Sequence, residues 1–150
     1  MIETIPLPVT DNPVDAPYWA GARRGELLLQ CCAGCGRHRF PPRPRCPDCH
    51  SDQSRWGAVS GRGEVWSFVV PRPPLLPVFE RQSPYVVAVV SLADHPGIRM
   101  VGALVEAAAG GGTVPAAVDS DAVRIGAPVQ AVFTPLTEDV HLLRWCLLPD

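Results

Sequence analysis

Two short cysteine pairs constrain this chain more than any other feature. Cys32 and Cys35 form the first pair, Cys46 and Cys49 form the second, and ten residues separate the two pairs. A Cys-x-x-Cys segment turns both sulfurs towards one point, and two such knuckles facing each other make the tetrahedral four-sulfur site that structural zinc prefers. The pattern therefore predicts a structural zinc site. Disulfide bonds are the alternative that the spacing leaves open.

A zinc ion held by four cysteines has no open coordination position. Such a site stabilises a fold and performs no chemistry, so we expect the function to lie elsewhere. Paired cysteines bind metal mainly in reducing compartments, and the first residues lack a basic region followed by an apolar stretch. The longest apolar run, 85–90, is too short to span a bilayer. We therefore predict a cytoplasmic protein with no membrane partner.

Charge is unevenly distributed along the chain. The formal net charge is −2, and four thiolates around a zinc ion would make it roughly −4. Six arginines and only two aspartates lie between Arg37 and Arg62, whereas residues 63–150 carry nine acidic residues against five arginines. The acidic overall balance disfavours nucleic acid as the main partner.

A short helix is predicted around residues 15–25. Asp15 is placed to cap the first turn, and Gly25 suits a left-handed stop after the last turn. Tyr18 and Trp19 are neighbours and must point in different directions around this helix. We expect that both pack on this protein or that at least one faces a partner.

Downstream of the second knuckle the pattern is that of an all-β domain. Its segments are rich in Val, Phe, Trp and Leu, and turn residues separate them. The predicted strands are Glu64–Val70, Tyr85–Leu92, Ile98–Glu106, Val129–Thr134 and Val140–Leu147. Five strands without a convincing helix between them favour a small closed barrel of the OB type.

Two segments interrupt these strands. Residues 71–84 contain five prolines, among them Pro73 and Pro74, and a long stiff loop of this kind often has a binding role. Residues 107–117 form a low-complexity alanine and glycine segment, to which we assign no function.

At this point the chain resembles a known family of thiolase-associated zinc-ribbon and OB-fold proteins, long catalogued as a domain of unknown function. The matching segments follow one another in order along residues 15–147. They are Tyr18-Trp19, Gly25–Gln30, Cys32–Gly36, Phe40–Arg43, Cys46–Cys49, Trp56, Val59–Val65, Pro84–Val90 and Ile125–Val129. Two features depart from the family pattern: the alanine and glycine segment resembles an insertion, and Cys31 and His50 stand where other non-ligating residues are usual.

The resemblance implies a mainly β protein with three parts. These are an N-terminal extension with a helical hook at 1–30, a rubredoxin-like zinc ribbon at 31–55 and a five-stranded OB-fold barrel at 56–150. It also implies a non-catalytic accessory subunit that binds a thiolase-fold enzyme and helps to hold an acyl-CoA thioester during thiolysis, acyl transfer or retro-aldol cleavage. Some members of the family accompany hydratase-like domains instead.

With this role in view, two groups of residues become candidate binding sites. Guanidinium groups match the geometry of phosphates, so we expect the first group to contact coenzyme A. These residues are Arg37, Arg39, Arg43 and Arg62. The second group is expected to bind the partner enzyme and consists of Tyr18, Trp19, Pro73 and Pro74. A solvated basic face and ordinary packing are the plainer interpretations.

Catalytic residues are not predicted for the chain on its own. Cys146 lies in an apolar strand, where a free cysteine usually acts as a small buried hydrophobic group. Two other functions stay open. One is a nucleic-acid-binding module, since zinc ribbons and OB barrels both serve that role. The other is an electron carrier with iron in the cage.

Overall fold

The computed structural model describes residues 5–106 and 118–149. The predicted insertion at 107–117 lies outside the described residues. The chain begins with helix α1 (Ala16–Arg23), followed by three strands of a small sheet and five strands of a barrel. The small sheet contains β1 (Leu28–Cys32), β2 (His38–Arg39) and β3 (Ser54–Ala58). The barrel contains β4 (Arg62–Val69), β5 (Val87–Leu92), β6 (Arg99–Val105), β7 (Pro128–Pro135) and β8 (His141–Leu147).

Helix α1 ends as its sequence predicts but begins differently. The amides of Gly25 and Glu26 donate to the carbonyls of Ala22 and Gly21, which is a Schellman motif, and Gly25 has φ +76°. At the other end Asp15 occupies the capping position, but its side chain makes no capping hydrogen bond. The capping role expected of Asp15 is therefore wrong.

The small sheet has the strand order β2-β1-β3, and both pairings are antiparallel. Its central strand places Gln30 between Arg39 on β2 and Trp56 on β3. The prolines between the knuckles leave no helix in the finger that connects them. Since β1 begins at Leu28 and β3 ends at Ala58, the sheet extends past both domain boundaries predicted at 30 and 55.

The barrel is closed in the order β4-β5-β6-β8-β7, and β7 pairs with β4. All pairings are antiparallel except that of β6 with β8. All five predicted strands are present within two residues at each end, and the mainly β class with a zinc ribbon and an OB-type barrel is confirmed. Among the described residues, two short helical turns lie between the strands, Pro77–Glu80 and Ser120–Ala122.

Ribbon, helix and barrel share one hydrophobic core. Leu29 of the ribbon and Trp145 of the barrel are both fully buried in this cluster, which also includes Tyr18 of α1. Helix α1 contacts β1, β7 and β8 and so packs against both sheets. Within the described ranges, no helix is long and apolar enough to cross a membrane.

Candidate functional site

The two cysteine knuckles have the same backbone geometry. In the first, the amide of Gly36 donates to the carbonyl of Cys32 at 2.9 Å, and in the second the amide of His50 donates to the carbonyl of Cys46 at 3.0 Å. Gly36 and His50 both have positive φ, 74° and 61°. The left-handed position that glycine fills in the first knuckle is filled by histidine in the second, and histidine is among the residues that tolerate it.

The four sulfurs lie within 4.8 Å of one another. Cys32 Sγ is 3.5 Å from Cys49 Sγ, and Cys35 Sγ is 3.7 Å from Cys46 Sγ. Tetrahedral zinc with Zn–S bonds of about 2.3 Å requires sulfurs about 3.8 Å apart. The cage therefore fits a zinc ion, with one buried and one exposed cysteine from each knuckle.

Backbone amides favour the thiolate form of two of these cysteines, the form that binds a metal cation. The amide of Cys35 is the main cause that lowers the pKa of Cys32 to about 6. Amides of Cys49 and Asp48 also lower the pKa of Cys46. In contrast, although the amide of Arg37 lowers the pKa of Cys35, desolvation and the neighbouring thiols raise it to about 11. Loading of the site with metal therefore releases protons.

Arg37 links the two knuckles across the cage. Its Nη1 donates to Asp48 Oδ1 at 2.8 Å, and Asp48 Oδ2 lies 3.9 Å from Cys46 Sγ. This ion pair is exposed, so it contributes at most about 1 kcal/mol to stability. It also engages the guanidinium for which the sequence predicts a coenzyme A contact.

Arg39 is buried in the ribbon, with 9% of its surface exposed. Its Nε donates to Gln30 Oε1 at 2.7 Å, and its Nη2 donates to the carbonyl of Arg43 at 3.3 Å. Its Nη1 is buried and finds no partner in the part of the chain that the structure describes. A guanidinium this deep offers almost no surface to a phosphate, so Arg39 leaves the set of proposed coenzyme A contacts. It braces the finger instead.

The other two predicted arginines are exposed. Arg43 follows the cis peptide bond between Phe40 and Pro41 in the finger, and Arg62 begins β4 of the barrel. Neither forms a salt bridge within residues 5–106 and 118–149. These two guanidinium groups are available to an anionic ligand.

The residues predicted to bind a partner differ in exposure. Tyr18 is 8% exposed and packs against Phe40 with ring centroids 5.8 Å apart, so it leaves the set of proposed partner residues. Trp19 is half-buried, and its Nε1 has no hydrogen-bond partner among the described residues. Pro73 and Pro74 are exposed in the loop between β4 and β5.

Two remaining cysteines have local roles. The thiol of Cys146 is buried, donates to the carbonyl of Leu147 at 3.5 Å and has a pKa raised by burial. Cys31 is also buried, and its thiol donates to the carbonyl of Gly36 at 3.3 Å, next to the cage. Neither side chain is exposed to solvent.

A contact between ribbon and barrel was not predicted from the sequence. The rings of His38 on β2 and His95 in the β5–β6 loop are stacked with centroids 4.0 Å apart. The adjacent Asp94 accepts hydrogen bonds from the amide and hydroxyl of Ser60 at 2.6 and 2.9 Å. These groups form the joint between the two sheets. The two histidines lie 57 residues apart in sequence, and Ser60 and Asp94 lie 34 apart, so no local pattern indicates that they meet.

Two family models match consecutive parts of the chain. Residues 19–55 match a family model described as the rubredoxin-like zinc ribbon domain of ChsH2. Residues 56–134 match the model of the C-terminal OB-fold domain of ChsH2. Together with the sulfur geometry, these matches confirm the predicted structural zinc site.

Two individual relatives are similar over most of this chain. A probable enoyl-CoA hydratase alpha subunit from Thermomonospora curvata is 38% identical over 118 residues, which cover 79% of this chain and 32% of the relative. The chain thus spans about a third of the length of that subunit. A DUF35 domain-containing scaffold protein from Methanocaldococcus jannaschii is 32% identical over 113 residues, 72% of this chain and 67% of the relative.

A solved structure is similar over nearly the whole chain. It is described as Ltp2-ChsH2(DUF35) aldolase and superposes with a TM-score of 0.76 at 30% sequence identity. The match covers 93% of this chain and 98% of that chain. The similarity therefore includes both the ribbon and the barrel.

Proposed function

This chain belongs to the ChsH2 family of rubredoxin-like zinc-ribbon and OB-fold proteins, and on that premise we propose that it is a non-catalytic accessory subunit. It binds a thiolase-fold enzyme and helps to hold an acyl-CoA thioester while that enzyme makes or breaks a carbon–carbon bond. The observation that carries this proposal is the match over 93% of the chain to a structure described as Ltp2-ChsH2(DUF35) aldolase.

The charges of the ribbon favour an anionic ligand. Arg43 is exposed in a finger that Arg39 and Gln30 hold from beneath: its amide donates to Gln30 Oε1, and its carbonyl accepts from both Gln30 Nε2 and Arg39 Nη2. Its backbone is therefore fixed while its guanidinium is unpaired by any carboxylate of the described chain. A guanidinium on a fixed backbone is suited to a phosphate of coenzyme A. We assign this contact to Arg43 and a second, from the barrel, to Arg62.

Partner binding is tested by co-expression with a thiolase-fold subunit. We expect a stable hetero-oligomer that survives size-exclusion chromatography, and acyl-CoA turnover by the complex. The isolated chain is expected to show no turnover. A chain that purifies away from every such subunit, or that binds a hydratase subunit instead, would overturn the thiolase assignment. The hydratase relative makes the second outcome a specific alternative.

Coenzyme A binding is tested on the assembled complex with Arg43→Gln. We expect the dissociation constant for coenzyme A to rise about tenfold, the effect of one lost charge-assisted phosphate contact. Arg55→Gln is the matched control, because Arg55 is also exposed but lies on β3, outside both proposed binding sites. Equal affinities for wild type and Arg43→Gln would remove Arg43 from the site.

A further inference from the structure

One wall of the barrel exposes an unusual amount of apolar surface. The antiparallel register of β4, β5 and β6 alternates side chains between the barrel interior and its outside. Val65, Val90 and Met100 point inwards and are at most 1% exposed. On the outside, Trp66, Val69 and Val101 are 49%, 58% and 62% exposed. We call Trp66, Val69, Val87, Val89 and Val101 the outer wall.

The register makes these residues contiguous. Val69 is paired with Val87, and Val89 is paired with Val101, so neighbouring strands contribute side chains to the same surface. Trp66 joins them because the register shifts between Val65 and Ser67, which places Trp66 at a β-bulge. A bulge turns a side chain out of its regular alternation. Contiguous exposed apolar surface of this kind marks an interaction site.

Two exposed charged residues, Arg99 and Glu64, lie at the edge of the wall, where both pair with Ser91. The guanidinium of Arg99 lies 3.9 Å from the centroid of the Trp66 ring. It forms no salt bridge with any carboxylate of the described ranges. A partner that covers Trp66 also desolvates Arg99, and a desolvated guanidinium requires a carboxylate or carbonyl opposite it. The complementary surface is therefore apolar with an acidic group at its rim.

The wall is continuous with the proline-rich segment 71–84 between β4 and β5, which we call the proline loop. The loop leaves β4 after Val69 and returns to β5 at Val87, two residues of the wall itself. Leu76 in this loop is 59% exposed and adds to the apolar surface. In contrast, helix α1 contacts β7 and β8 on another part of the barrel. In OB folds the second and third strands and the loop between the first two form the usual ligand face, and here these are β5, β6 and the proline loop.

We propose that the outer wall, with the rim formed by Arg99 and the proline loop, is the docking surface for the partner enzyme subunit. The inference rests on the proposed function and locates its protein interface on the barrel rather than on the helix. Single-stranded nucleic acid is a poorer occupant, because sequential bases need several stacking rings and cations and the wall offers one tryptophan and one arginine.

The test measures affinity between the purified chain and the thiolase-fold subunit that forms the wild-type complex. Val101→Glu and Trp66→Ala are each expected to raise the dissociation constant about tenfold or more. Arg99→Gln is expected to reduce the salt dependence of this dissociation constant. Val9→Glu is the matched control, since Val9 is 69% exposed and lies before α1. Unchanged thermal unfolding of each variant shows that the barrel is intact.

Each outcome decides a different claim. Wild-type binding that is equally strong in Val101→Glu and Trp66→Ala overturns the docking surface and leaves the proposed function standing. A wild-type chain that binds no such subunit overturns both. A homodimer in sedimentation experiments that Val101→Glu dissociates assigns the wall to a second copy and overturns the inference. If the chain binds a thymidine 20-mer in a salt-sensitive way and Val101→Glu abolishes this binding, the wall is assigned to nucleic acid and the inference is overturned.

Discussion

The reassignment of Arg39 from ligand contact to structural brace makes a quantitative prediction. In Arg39→Met the buried hydrogen bond from Nε to Gln30 Oε1, 2.7 Å long, is lost. A hydrogen bond to a charged group contributes about 1.5–3 kcal/mol. Part of this loss is offset. Arg39 Nη1 is buried without a hydrogen-bond partner, and removing it recovers the cost of burying such a group, taken here at its lower value of about 1 kcal/mol.

The net loss of unfolding free energy is therefore about 0.5–2 kcal/mol. For a chain of this size that corresponds to a fall in Tm of about 1–8 °C. Urea and thermal unfolding of the zinc-loaded protein, followed by tryptophan fluorescence, measure both quantities. Arg43→Gln is the control from the same finger: its side chain is exposed, so its stability should stay within about 0.5 kcal/mol of wild type.

Coenzyme A affinity separates the two roles. In the complex, Arg43→Gln should weaken binding about tenfold. Arg39→Met, below its Tm, should weaken it less, because Gln30 still bonds the amide and the carbonyl of Arg43. The brace is refuted if Arg39→Met unfolds at the wild-type midpoint and loses affinity as much as Arg43→Gln does. That result would mean that the Arg39 guanidinium leaves the ribbon interior to contact the ligand.

Three further predictions concern the cage, the joint and the barrel. Cys46→Ser should lose zinc by elemental analysis and lose stability and partner assembly together; an intact complex without metal would contradict this. Burial, His95 and Arg55 lower the pKa of His38 in the folded protein. The unfolded state therefore binds the proton more readily, and the free energy of unfolding should fall as pH drops below about 6.5. His38→Gln should flatten that dependence, and an unchanged urea midpoint profile would contradict it. Trp145→Ala should cost about 3–5 kcal/mol in urea unfolding, because Trp145 is fully buried; a loss below 1 kcal/mol would show that the barrel collapses around the gap.

Local patterns in the sequence predicted the parts of this structure that depend on local geometry. The knuckle spacing is set by backbone turns of a few residues, so Cys32, Cys35, Cys46 and Cys49 were correctly grouped. Strand positions followed from apolar segments between turn residues. The stop of α1 followed from Gly25, whose positive φ a glycine adopts at little cost.

Features that depend on long-range packing could not be predicted. Arg39 and Arg43 are both arginines of one proline-rich finger, and only the pairing of Arg39 with Gln30 decides that one is buried and the other exposed. The exposure of Trp66 depends on a bulge, and a bulge is defined by the partner strand. Tyr18 and Trp19 illustrate the same limit, since the orientation of α1 on two sheets determines which ring is covered.

Acyl-CoA turnover, measured side by side for the isolated chain, the thiolase-fold subunit and their complex, tests the central claim most directly. We predict no turnover by the isolated chain and substantially higher turnover by the complex than by the enzyme subunit alone. Turnover by the isolated chain would contradict a non-catalytic role. Equal rates for the enzyme subunit with and without this chain would contradict an accessory role.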